Sequence, residues 1–182
     1  MHRRQPLPRL WMMTDERQGE GLFGALRRLP EGAGIVFRHY SLPERQRRRL
    51  FDDVQTVARG KGCLLILAGT PQLAAAWEAD GSHGWQGASE PRLLRSVAVH
   101  NEEEMEAANI LGADLIFLSP VFETRSHPGR AALGPQGFSA LAAMARMPVI
   151  ALGGMDSERA RLLAGSNIYG WAAIDAWTAG IR

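Results

Sequence analysis

The chain has 182 residues, 46% hydrophobic and 22% charged, with a formal net charge of +2. That is enough for one domain, 1–182, with a sizeable core, and too little charge for a strongly basic nucleic-acid surface. A lone cysteine (Cys63) excludes a disulfide framework, and no stretch has the length or apolarity of a membrane span or signal peptide, so no nucleic acid, no membrane and a cytoplasmic setting are expected.

From the N-terminus, Leu10–Met13 is an apolar run that breaks into Thr14, Asp15, Glu16 and Arg17, a buried strand ending in a polar turn. Leu22, Phe23, Leu26 and Leu29 recur at helical spacing before Pro30 and Gly32 stop the helix. Gly34–Phe37 predicts a second strand, with Arg38, His39 and Tyr40 at its C-terminal end. A long helix is expected over 41–60, with Leu50, Phe51, Val54 and Val57 on one side and a glycine stop at 60–62. Its run of Arg45, Arg47, Arg48 and Arg49 reads as a solvated face. Cys63–Leu67 is the third strand, where Cys63 is a small core residue, and Thr70–Pro71 opens a helix through Ala79.

The second half continues the alternation. Residues 80–86 form a short strand-like piece, and 87–95 are too few for more than a turn or two of helix. Ser96–His100 is a strand, and Asn101 caps a helix whose Glu102, Glu103 and Glu104 face the positive end of its dipole. Met105, Ala108 and Leu111 are its buried stripe, and Gly112 ends it. Ala113–Leu118 breaks into a polar loop carrying Thr124, Arg125, Ser126, His127 and Arg130. A helix is expected over Phe138–Met147 and a strand over Pro148–Leu152, leading into Gly153 and Gly154. Asp156 caps a helix through Ala164, and Tyr169–Ile174 is the last strand.

Eight strands alternating with helices predict an α/β protein with a parallel sheet closed into a (β/α)₈ TIM barrel. An open doubly wound sheet is the alternative. The chain is shorter than the ~250 residues typical of the barrel, so a reduced fourth helix and a missing or minimal last helix are expected. In this fold the loops after the strands build the site, which brings forward Arg38, His83, His100, the 124–130 loop and the glycine pair. Glycine N–H groups there can receive a phosphate, or Gly153 and Gly154 serve only as a strand-to-helix turn. His83 and His100 are proton-transfer candidates or hydrogen-bonded structural imidazoles.

These segments, taken together and in order, resemble the thiamine phosphate synthase family, including its thiazole tautomerase (TenI-like) branch. Residues 11–15 resemble its first-strand Tyr-x-x-Thr-Asp, and 79–86 its Ala-Asp-Gly-Val-His-x-x-Gln. Gly112–Asp114, Pro120–Phe122, Thr124 and Ser126 resemble its Gly-Ala-Asp…Pro-Val-Phe-x-Thr-x-Thr-Lys, and Pro148–Met155 its Ile-Pro-Val-x-Ala-Ile-Gly-Gly-Ile. The resemblance implies an enzyme that joins hydroxymethylpyrimidine diphosphate to thiazole phosphate and expels pyrophosphate, with Mg²⁺ as cofactor and phosphorylated small molecules as partners. A homo-oligomer is compatible with it.

Carried over residue by residue, the resemblance places Arg38 on the diphosphate. It puts His127 at a family lysine, and His100, at the end of the fifth strand, joins Arg38 and His127 as a catalytic candidate through its position at the barrel mouth. Phosphate binding falls to Thr124, Arg125, Ser126, Gly153, Gly154, Ile174 and Asp175, the last at a family serine. The metal-binding carboxylates are missing: their positions fall on Ala68–Gly69 and on Gly87–Ala88. The family serine after the fifth strand is Ala98, and the tautomerase branch's histidine is Pro120. Three readings follow. The first is a synthase of impaired or altered turnover, with Asp15 or Glu123 as substitute metal ligands. The others are a metal-independent thiazole phosphate tautomerase and a non-catalytic member binding a thiamine precursor or a partner protein.

Overall fold

A computed structural model describes residues 6–84, 90, 92–124 and 131–177. The apolar runs become parallel strands because both of their faces are covered: Gly34–Phe37 and Leu115–Leu118 are buried at every position. The strands are β1 (Leu10–Met13), β2 (Gly34–Phe37), β3 (Leu64–Ala68), β4 (Gly81–His83), β5 (Leu94–Val99), β6 (Leu115–Leu118), β7 (Val149–Ala151) and β8 (Gly170–Ala173). They close in chain order, with β8 pairing back on β1, so the barrel of the TIM class is observed and the open sheet is not. Between them lie α1 (Leu22–Arg28), α2 (Glu44–Gly60), α3 (Pro71–Ala76), α4 (Glu102–Leu111), α5 (Gly134–Ala143) and α6 (Ser157–Leu162).

Alternation along each strand sorts the core into layers. Trp11, Met13, Val36, Ile66, Leu94, Leu115, Phe117, Ile150 and Ala172 fill the barrel interior. Met12, Ile35, Phe37, Leu65 and Leu67 point outward onto one helical layer, and Val97, Val99, Ile116, Leu118, Val149 and Ala151 onto another. The Trp11 indole meets Phe117 edge-on at 5.4 Å. It occupies the space where a Cβ on its register partner Gly34 would stand. Glycine at 34 is therefore the room that the indole requires.

Among the described residues no helix separates β4 from β5, and β8 is followed only by a 3₁₀ turn, Asp175–Trp177. That turn swings Trp177 back over Trp171, with rings parallel at 5.3 Å, and its Nε1 donates to the Trp11 carbonyl at 3.2 Å. Trp177 thus ties the stretch after β8 to both β8 and β1.

Several boundaries and one surface differ from expectation. β5 begins at Leu94 rather than Ser96, because Leu94 still faces the interior; α5 begins at Gly134 rather than Phe138. Glu16 and Arg17, expected in a polar turn, open a 3₁₀ helix, Glu16–Gly21, with a capping box between Asp15 and Gln18. The arginine run is not one solvated face. Arg45 and Arg49 are exposed, but Arg47 is half-buried against strand-end carbonyls, and Arg48 reaches the Ala76 carbonyl.

Candidate functional site

The rim at the C-terminal ends of the strands is organised first by Thr14 and Asp15, just after β1. Arg38, just after β2, donates from its backbone N–H to Thr14 Oγ1 (2.9 Å), from Nε to the Thr14 carbonyl (2.8 Å) and from Nη2 to Asp15 (2.6 Å). Arg17 pairs with the same carboxylate at 2.7 Å. Burial alone would raise the Asp15 carboxyl, but the hydrogen bonds from Arg17 and the charges of Arg38 and Arg17 outweigh it and hold Asp15 below its ordinary range. His39 follows with a left-handed φ of 43° and stacks on Phe37 at 5.0 Å, its Nδ1 3.0 Å from Thr14 Oγ1; burial lowers its pKa.

Arg47 reaches up from α2 to tie two strand ends together. It donates to the carbonyls of Arg38 (2.8 Å) and Ala68 (2.6 Å), and its guanidinium lies over Phe37, Tyr40 and Trp77. Sequence reasoning missed this role, since a charge run in a helix carries no signal of which member turns inward.

Beside this corner lies a cavity of about 80 Å³. Arg38, His100, Thr124, Gly153, Gly154, Ile174 and Asp175 all line it, so these seven predicted site residues converge at one end of the barrel. Arg125, Ser126 and His127 lie outside the described residues, as do Gly87 and Ala88. Gly153 and Gly154 have φ of 97° and 62°, and a Cβ on Gly154 would stand 2.5 Å from the Glu123 carbonyl oxygen. Among the described residues neither glycine N–H has a backbone acceptor. Arg159 Nη1 donates to the Gly154 carbonyl, which fixes the loop from outside. Asp175 does not stand as an isolated negative charge here. Arg17 is held above its ordinary pKa first by its hydrogen bond to Asp15, against burial, and then by the charges of Asp15 and Asp175.

Two histidines face the barrel mouth from neighbouring strands. His83 sits against Ser96 Oγ (3.0 Å) and the edge of Phe117 (5.3 Å), and burial, helped by the Arg38 charge, lowers its pKa to about 4. It is a neutral imidazole at any physiological pH. His100 pairs through Nδ1 with Glu104 Oε2 at 2.7 Å. The carboxylate was expected only to answer the helix dipole; its i,i+4 spacing from His100 was the signal that could have found the pair.

A magnesium ion, which the family resemblance implies, takes oxygen ligands, one or two of them carboxylates. The end of β3 offers Ala68 and Gly69, and the Ala68 carbonyl already accepts from Arg47. Asp15 is committed to two arginines, and among the described residues no cluster of three His, Cys, Asp or Glu side chains could hold a metal. The described residues do not offer a ligand set that fits the ion.

Fold and rim together define a (β/α)₈ barrel protein whose polar side chains meet at the C-terminal end of the strands, where enzymes of this architecture keep their active sites. More particularly, the chain belongs to the thiamine monophosphate synthase family, whose profile matches residues 12–177. It is 31% identical over 179 residues to "Putative thiamine-phosphate synthase 2" of Aquifex aeolicus, covering 92% of this chain and 96% of that protein. It is 26% identical over 181 residues to the thiamine-phosphate synthase of Syntrophomonas wolfei, covering 92% and 87%. Among solved structures, the thiamine phosphate pyrophosphorylase of Pyrococcus furiosus superposes with a TM-score of 0.77 at 25% identity, covering 96% of this chain and 89% of that one. The YdjI aldolase of Escherichia coli, at 9% identity and a TM-score of 0.66, shares the fold alone. No helix among the described residues is long and apolar enough to cross a membrane.

Proposed function

We propose that this protein acts in thiamine biosynthesis, in the cytoplasm, as a thiamine phosphate synthase-like enzyme of altered turnover. Its substrates are hydroxymethylpyrimidine diphosphate and thiazole phosphate. In the coupling, the thiazole nitrogen bonds to the pyrimidine methylene carbon as the carbon–oxygen bond to diphosphate breaks. Charge then gathers on the departing oxygens, and cations aimed there lower the barrier. Arg38, fixed by Thr14 and Asp15, is the cation placed for this, and the Gly153–Gly154 N–H groups suit the thiazole phosphate. Arg125, Ser126 and His127 belong to the same proposed site.

The observation that carries this reading is the convergence of Arg38, Thr124, the glycine pair and Asp175 on one cavity. Turnover is altered because the family's magnesium positions, Ala68–Gly69 and Gly87–Ala88, carry no carboxylate, so arginine neutralises the diphosphate. The test is to incubate the purified protein with both substrates, with Mg²⁺ or with chelator. Slow formation of thiamine phosphate, little affected by the chelator, is expected; no product above a protein-free control refutes the coupling. A second reading, proton transfer on the thiazole phosphate, is favoured by one observation: the His100–Glu104 pair at the cavity wall.

A further inference from the structure

The coupling step leaves one well-built pair without a task. His100 continues the inward face of β5, in register with Leu94 and Ser96, and lines the cavity. Its partner Glu104 lies one turn along α4, with Oε2 2.7 Å from His100 Nδ1 and 2.7 Å from the His100 backbone nitrogen. The Glu104 N–H in turn donates to the N-cap side chain of Asn101 at 2.8 Å. Backbone and ring of one residue therefore grip a single carboxylate oxygen, and the helix start anchors the residue that carries it.

We propose that Glu104 is a positioning residue. It keeps His100 as the tautomer protonated on Nδ1, so that Nε2 presents its lone pair to a phosphorylated heterocycle in the cavity. An ionised carboxylate only accepts hydrogen bonds, so the Nδ1 facing it carries the hydrogen, and in a neutral ring the other nitrogen is then the acceptor. The step this prepares is a proton shift. Nε2 takes a proton from a ring C–H or an N–H of the bound molecule, whose electron pair moves into the ring π system. The imidazolium, stabilised by Glu104, returns the proton to a second ring atom, so nothing is oxidised and no co-reactant is consumed. An ordinary capping role is the competing account of Glu104. In the usual capping box, however, the acidic side chain accepts from the N-cap's own N–H, whereas Glu104 accepts from the residue before it and from that residue's ring.

The substrate class rests on the reading under Proposed function, but the tautomer does not, and the two are tested separately. In the ligand-free protein labelled with ¹⁵N-histidine, long-range ¹H–¹⁵N spectra at alkaline pH, where imidazoles are neutral, should show Nδ1 of His100 as the protonated nitrogen. In Glu104→Ala that preference should vanish, and in Glu104→Gln, which keeps an acceptor at the helix start, it should weaken with the fold intact. An unprotonated Nδ1 in the parent protein, or identical tautomers in all three proteins, overturns the assignment. With thiazole phosphate, the isomerisation rate kcat should fall roughly 10–100-fold in Glu104→Ala with KM unchanged. His100→Ala should fall at least as far, and the double variant no further. Loss of stability without loss of kcat reduces Glu104 to a cap and ends the proposal. No heat of thiazole phosphate binding, with the tautomer intact, refutes the substrate reading alone.

Discussion

Gly154 and Gly62 have the same backbone twist, φ 62° and 61°, in different surroundings. A Cβ at 62 meets nothing within 4 Å, whereas one at 154 meets the Glu123 carbonyl oxygen at 2.5 Å and Phe122 Cβ at 3.0 Å. Gly62→Ala therefore measures the left-handed backbone term alone, about 1–2 kcal/mol. Gly154→Ala adds a contact that only a backbone shift can relieve, costing roughly 1–3 kcal/mol more. For a chain of this size each kcal/mol moves Tm by about 2–4 °C. Thermal unfolding should thus place Gly154→Ala roughly 2–12 °C below Gly62→Ala. Calorimetry should show thiazole phosphate binding lost in Gly154→Ala and kept in Gly62→Ala, whose site is at the opposite end of the barrel. Equal melting temperatures, or intact binding by both variants, would refute the idea that this loop is shaped by its crowding against the 120–124 segment.

Three further outcomes are expected. His83 has a folded pKa of about 4 against an ordinary 6.5, so the unfolded chain binds the extra proton. That contribution is complete above 6.5 and lost as pH falls towards 4. It amounts to on the order of 3 kcal/mol, and urea titrations across that range should show a shallower pH slope for His83→Gln than for the parent. Arg47→Ala removes two charged hydrogen bonds to strand-end carbonyls and should lower urea stability by about 2–4 kcal/mol; Arg47→Lys, lacking the planar fork, should recover little of it. Trp177→Ala should cost about 2 kcal/mol and abolish the far-ultraviolet circular dichroism couplet of two stacked indoles. An unchanged spectrum would mean that Trp171 and Trp177 do not stack in solution.

The parallel strands were legible because burial on both faces leaves long apolar runs, as at Ile35–Phe37 and Leu115–Leu118. β4 has only Gly81, Ser82 and His83 and no such run, so it was visible mainly through its surrounding motif. The cavity-lining residues were legible because strand ends in a barrel share one rim, and counting eight strands therefore places Arg38 near Gly154 without any knowledge of contacts. What could not be read were partnerships between side chains distant in sequence. Arg47 looks like Arg45 and Arg49 until α2 is docked, and only then does it meet the carbonyls of Arg38 and Ala68. The fate of Asp175 was equally hidden, because its charge is felt by Arg17, in the 3₁₀ helix near the other end of the chain.

The seam between β1 and β8 sets the moment at which the protein comes into being. β1 is made before β8, whose pairing completes its second flank, and the bond from Trp177 to Trp11 spans 166 positions. A sheet lacking its last strand would have two open borders, the sort of edge that recruits neighbouring chains. The ligand cavity shares that timetable, since Asp175 and Ile174 reach Arg38 only across the finished seam. Closure and binding competence are therefore one event, and a chain cut short of its last strand forfeits both.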